Sequence, residues 1–354
     1  MEGIKRFSMT GIFTPRQLFL VNRLQQRGMA FNLEESLMQP YHPLRAALVA
    51  FFTMGELGAR TYVVSGSTAK GRMEGFVQMR ERRACPEADV LFIAPALDGD
   101  ADAEVWRHLL VHLCRQAGGR GIERLFARLP QEGEETHLFN QIGFNIYTRE
   151  DIFCLDGGRL VRVDPSSGAD IRAWRPEDGI ALHQLYAAVA PRQVQQAENV
   201  TARGHLCPPE IWPISHDRQG YVLVREGGVF GCLTVRPGRM GHWLFVLLHP
   251  QAYDHADDLL AHGLAALRVA PSLPIYCGVR EYQGGLRAVL EDVGFSPFAS
   301  RSLMVKHTTV RVTDPVRKLM AALDKRAEAT TPTVSPVNGH QASSPAEPIN
   351  RSRL

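Results

Sequence analysis

One order of apolar runs occurs twice in this chain, and that repetition limits the folds open to it. The first passage, residues 88–144, begins with Val90-Leu91-Phe92-Ile93-Ala94, a continuous apolar run of strand length stopped by Pro95. An Asp-rich loop follows, Asp98-Gly99-Asp100-Ala101-Asp102-Ala103. Trp106, Leu109, Leu110, Leu113 and Ala117 then recur at helical spacing until Gly118-Gly119 closes the segment. A second strand-like run, 122–129, ends at Pro130, and a short helical piece leads to Ile142-Gly143-Phe144 and a last strand, 145–155. The second passage, 243–307, repeats this order. It has an apolar run at 243–248, His249-Pro250, a helix through Leu259, Leu260, Leu264 and Leu267, and a strand at 274–279. Val293-Gly294-Phe295 and a strand at 302–305 close it. Strand, loop, helix, strand, helix, Gly-Phe, strand is a βαβ-type unit with a closing strand. The chain is therefore predicted to be α/β, with a mixed sheet in each of two lobes.

A chain of 354 residues gives each passage enough flanking sequence to bury its own core. Formal net charge is +3, and the basic residues are scattered without interleaved aromatics, so nucleic acid is not an expected partner. No apolar stretch reaches membrane-spanning length. At the N-terminus, Leu18-Phe19-Leu20-Val21 is hemmed in by Gln17, Asn22 and Arg23, which leaves no signal core. The six cysteines are widely spaced, as reduced thiols in a cytoplasm would be.

In order, residues 1–14 read as a strand-poor lead-in, and Thr14-Pro15 opens a helix that Gly28 ends. Two more helical patterns, 33–38 and 44–54, precede strands at 61–64 and 75–80, with Ser65-Gly66-Ser67-Thr68 as turn chemistry between them. Pro165-Ser166-Ser167-Gly168 reads as a linker, which divides the chain into lobes at 1–160 and 161–313. The second lobe opens with a strand at 171–174, Arg175-Pro176-Glu177-Asp178, and a helix through Ile180, Leu182, Leu185, Tyr186 and Val189 that ends at Pro191. A polar helical stretch, 193–205, comes next, and strands at 221–224 and 229–235 form a hairpin about Gly227-Gly228. A further helix is predicted at 314–327, and the Thr-, Pro- and Ser-rich residues 328–354 lack the apolar bulk to fold.

The strand order, the Ile142-Gly143-Phe144 and Val293-Gly294-Phe295 endings, and the Arg-Pro-Glu-Asp opening of the second lobe resemble the acyl-transfer core of the GNAT superfamily. The resemblance implies two GNAT-like acyl-CoA N-acyltransferase lobes in tandem. In each, two central parallel strands splay apart and an acyl thioester lies between them. It implies acetyl-CoA or another acyl-CoA as co-substrate and a small-molecule or peptide amine as acceptor, with no metal. Ile93, Gly99, Ala101, Ala103 and Gln283 then fall at cofactor-binding positions, and Glu74, His137 and Tyr282 are the catalytic candidates. The first lobe, with Ala103 in register and Gly99 beside it, is the one expected to work if only one does.

Two departures from the family pattern stand out. The family holds the cofactor's pyrophosphate on free amides at a helix start, where the aligned peptide dipoles favour an anion. Here both helix starts are acidic: Asp98, Asp100, Asp102 and Glu104 in the first lobe, Asp254, Asp257 and Asp258 in the second. Where the family carries a general acid, this chain has Phe139 and Leu290, which cannot donate a proton. Glu81, Glu135 and Glu281 are neighbouring alternatives. His108 and His112 share a helix face at metal-ligand spacing but without an adjacent Glu or a third ligand, so they read as helix-surface or packing histidines. A binding or scaffold protein that has lost coenzyme A is the competing expectation.

Overall fold

The computed structural model describes residues 8–10, 15–53, 56–68, 71–82, 85–157, 170–198, 218–267 and 273–308. They all belong to one compact unit, Met1–Val310. The linker at 165–168, most of the stretch 193–205, the helix at 314–327 and the tail 328–354 fall outside the described residues.

The first half runs β1 (Ser8–Thr10), α1 (Pro15–Leu24), a 3-10 turn (Gln25–Arg27), β2 (Met29–Ala30), α2 (Leu33–Met38) and α3 (Pro43–Phe52). It continues β3 (Arg60–Thr68), β4 (Gly71–Glu81), β5 (Glu87–Ala94), α4 (Asp100–Gly119), β6 (Arg124–Pro130), α5 (Glu134–Ile142) and β7 (Asn145–Leu155). The second half runs β8 (Asp170–Ala173), α6 (Gly179–Val189), α7 (Arg192–Glu198), β9 (Gln219–Arg225), β10 (Gly228–Arg236) and β11 (His242–Leu248). After a 3-10 turn (Pro250–His255) come α8 (Ala256–Ala266), β12 (Ile275–Arg280), a second 3-10 turn (Glu281–Gln283), α9 (Leu286–Val293) and β13 (Ser296–His307).

Two local readings change. Ser65-Gly66-Ser67-Thr68 is no turn: β3 continues through it, with Ser65 opposite Glu74 and Thr68 opposite Gly71. The lead-in does contribute a strand, since Ser8–Thr10 pairs with Val63–Ser65 at the sheet edge. Serine and glycine are poor strand formers in isolation, and cross-strand pairing overrides that preference.

Each half was expected to be closed by its own last strand. Instead the two closing strands are exchanged. The sheet runs β1-β3-β4-β5-β6-β13-β7-β12-β11-β10-β9-β8, so β13 pairs with β6 of the first half and β7 pairs with β12 of the second. β7 and β13 lie side by side at the centre, Glu150 opposite Arg301. The result is one continuous sheet through both halves, with no free edge between them.

Helices cover both faces. α4 and α5 pack Trp106, Leu109, Leu110, Leu113 and Phe139 onto β4, β5 and β6. α8 and α9 bury Leu259, Leu260, Leu264, Leu286 and Leu290 on the same face of the second half. The opposite face carries α1 in the first half and α6 in the second.

Candidate active site

Both parallel strand pairs open partway along. β5 and β6 pair only at Glu87–Arg124, Ala88–Leu125 and Asp89–Phe126. β11 and β12 pair from His242–Ile275 to Phe245–Gly278. Beyond those points Val90–Ala94 and 246–248 no longer bond to their parallel neighbours. Each half therefore has a wedge at the carboxyl ends of its central strands, where ligands of open α/β sheets lie.

The first wedge is filled by the chain's own residues. Met29 pairs with Ile93 and Ala30 with Phe92. The Phe31 amide donates to the Leu91 carbonyl at 2.8 Å, and the Ala96 amide donates to the Arg27 carbonyl at 2.6 Å. Gly28 is required by the close approach, since a Cβ there would stand 2.3 Å from the Phe92 ring and 2.7 Å from the Ile93 carbonyl oxygen. Phe31 is 2% exposed and packs edge-on against Trp106 and Phe139, with centroids 5.8 and 5.5 Å away. α2 then crosses to the second half. Its Glu34 carboxylate accepts from Arg128 at 3.3 Å and from Arg236 at 3.2 Å, and the Met38 carbonyl accepts from the amides of Arg239 and Met240.

The second wedge has a different lining. On the α6 side Phe245, Leu247, Leu182, Leu185 and Tyr186 are buried, with Tyr282 packed against them. Tyr186 Oη donates to Glu198 Oε2 at 2.6 Å. Tyr147 Oη and Arg280 Nη1 each donate to Glu198 Oε1 at 3.3 Å. Burial first, and the Glu198 carboxylate next, push the Tyr186 hydroxyl well above the ordinary tyrosine range, so it remains a donor. On the α8 side Tyr253 lies across to the start of α9, where a Cβ on Gly285 would sit 3.2 Å from its ring.

The sequence-predicted residues are dispersed. Ile93 is fully buried, and its backbone bonds to Met29. Gly99 caps α4 with φ of 96°, Ala101 lies in the first turn of that helix, and Ala103 packs half-buried against the first core. Glu74 pairs with Arg23 of α1, while His137 is exposed on α5, on the opposite face of the sheet. Tyr282 and Gln283 lie together in the turn after β12, at the second wedge, with Gln283 fully buried. Among the described residues no group of three His, Cys, Asp or Glu side chains is placed to hold a metal. Among those same residues no helix is long and apolar enough to cross a membrane.

The sequence reading missed Glu198, Glu150, Arg280 and Arg301. Its one available signal was that Arg280 ends an otherwise apolar strand, Ile275-Tyr276-Cys277-Gly278-Val279.

A duplicated mixed sheet with a wedge between the parallel strands of each copy is a tandem GNAT fold. Among solved structures, the chain is similar to a tandem GNAT protein from the clavulanic acid biosynthesis pathway, with TM-score 0.50 and 15% identity over 86% of this chain and 99% of that one. It is also similar to a GCN5-related N-acetyltransferase from Sphaerobacter thermophilus, with TM-score 0.49 and 13% identity over 85% of this chain and 96% of that one. No protein-family model matches the sequence, and no curated protein matches it.

Proposed function

We propose that the chain is an acyl-CoA-dependent N-acyltransferase with a single thioester site, the second wedge. The observation that carries this reading is the asymmetry between wedges. The inner edge of β5 is taken by Arg27–Phe31, whereas β11 parts from β12 beside Tyr282, Gln283 and the Tyr186–Glu198–Arg280 cluster. In this reading the thioester's amide arm lies along residues 246–248. The acceptor amine approaches from the α6–α7 side and attacks the thioester carbonyl carbon. The C–S bond breaks, Tyr282 protonates the departing thiolate, and the amine gives up its proton to solvent. The acceptor is a small-molecule or peptide amine. We read the halves as two repeats, 1–160 and 161–313, of which the first is structural.

A second reading is favoured by the start of α8. Asp257 and Asp258 stand in its first turn, His255 Nδ1 lies 3.5 Å from Asp258, and Tyr253 crosses to Gly285. Such a helix start satisfies its own dipole and competes with a phosphate, as in a binding module that has lost coenzyme A. Thiol release from acetyl-CoA, measured against a panel of primary amines, separates the two. Turnover that Tyr282→Phe lowers supports the enzyme; absence of both turnover and acetyl-CoA binding removes it.

A further inference from the structure

We propose that the first wedge is a ligand slot permanently filled by an internal surrogate, with Arg27–Phe31 serving as the bound extended ligand. Two features of the surrogate, and one of the helix start beside it, reproduce what an extended, anionic ligand would supply.

The first is main-chain pairing. From Leu91 to Ala96 the inner edge of β5 and the loop that follows it are bonded to residues 27–31, in the manner of an added strand. The second is a buried anchor. Phe31 fills an aromatic pocket made by Trp106 and Phe139, and Phe144 backs it at 4.9 Å from the Phe139 centroid. The third is negative charge at the helix start. Asp98 precedes α4, and Asp102 and Glu104 lie in its opening turns, where carboxylates gain from the helix dipole that would otherwise favour a bound anion.

The surrogate is also clamped on its far side. Asn32 Oδ1 caps α2 by accepting from the Glu35 amide at 3.4 Å, and Arg80 bonds the Glu35 carboxylate at 2.6 Å. Glu34 joins Arg128 of β6 to Arg236 of β10, so one short helix ties the filled wedge to both halves. An incoming ligand would have to break the Phe31–Leu91 and Arg27–Ala96 bonds, withdraw Phe31 from its pocket and release Glu34 from two guanidinium groups. Each step leaves buried groups without partners, so residues 27–38 act as a fixed keystone and not as a movable lid.

Hydrogen exchange read by mass spectrometry on the full chain, with and without acetyl-CoA, tests this without any substitution. Peptides within 27–38 are expected to exchange within about tenfold of peptides within 124–130, as parts of one cooperative unit do, and any slowing by acetyl-CoA bound at the second wedge falls on both alike and leaves their ratio unchanged. Exchange more than about tenfold faster than β6, or faster on adding acetyl-CoA, would mark a segment that opens locally and overturn the proposal. The proposal stands apart from the role of the second wedge, because an inactive second wedge leaves this exchange pattern as it is.

Discussion

Glu150 and Arg301, one from the closing strand of each half, meet at the centre of the sheet: Arg301 Nε donates to Glu150 Oε2 at 2.5 Å, with the two residues 4% and 3% exposed. Arg280 approaches the other carboxylate oxygen at 3.1 Å and passes on to Glu198. Gly278 makes room for this, since a Cβ there would lie 2.9 Å from Glu150 Oε1 and 3.0 Å from the Trp243 ring. The exchange of β7 and β13 is thus joined by a charge pair out of water, and the same network reaches the second wedge.

Removing one member of a buried pair leaves the other charge without compensation. Glu150→Ala is expected to cost about 3–5 kcal/mol of folding free energy. A denaturant midpoint lowered without a change in slope is the expected signature. A stability within about 0.5 kcal/mol of the parent, the usual range for a surface substitution, would show that the pair does not hold the exchanged strands.

Acid should weaken the fold in a definite window. Burial alone would raise the Glu150 carboxyl, but Arg301 and Arg280 outweigh it and hold the group below the usual carboxylate range. Asp178 is held low too, first by its hydrogen bond from Arg172. A carboxylate depressed in the folded state stabilises that state above its unfolded pKa and loses the contribution as pH falls through the folded value. Melting temperature should therefore fall as pH drops below about 4.5, the ordinary carboxylate range. In Glu150→Gln the part of that slope due to Glu150 should be missing.

Phe31→Ala empties the aromatic pocket beneath α4 and α5. A loss of about 3–5 kcal/mol is expected for a buried phenylalanine, read by thermal or chemical unfolding. A change within the range of a surface substitution would show that Phe31 is not part of the core.

Tyr282→Phe keeps the ring against the buried cluster of α6 and β11 and removes only the hydroxyl. If Tyr282 protonates the leaving thiolate, turnover should fall by roughly 10²- to 10⁴-fold with little change in melting temperature. An unchanged rate would assign the proton to another group.

Local pattern carried much of the architecture. The run stopped by Pro95, the helical spacing from Trp106 to Ala117, and the Gly227-Gly228 hairpin all stand where the periodicity puts them. What periodicity does not carry is partner choice between distant strands. Nothing in 145–155 or 296–307 distinguishes pairing within a half from pairing across halves, because apolar spacing sets which face is buried and not which strand lies alongside. β2 is too short for any repeat to register, and Gly28 before it reads as a helix end. The polar centre was hidden for a similar reason. β7 alternates Thr148, Glu150 and Ile152 with Arg149, Asp151 and Phe153, so neither side reads as interior until α2 and α7 cover one of them.

Calorimetric titration of the full chain with acetyl-CoA tests the central claim most directly. One equivalent per chain is the expected stoichiometry, with the second wedge occupied and the first already filled by residues 27–31. Two equivalents, or no heat at a large excess of ligand, would contradict a single thioester site.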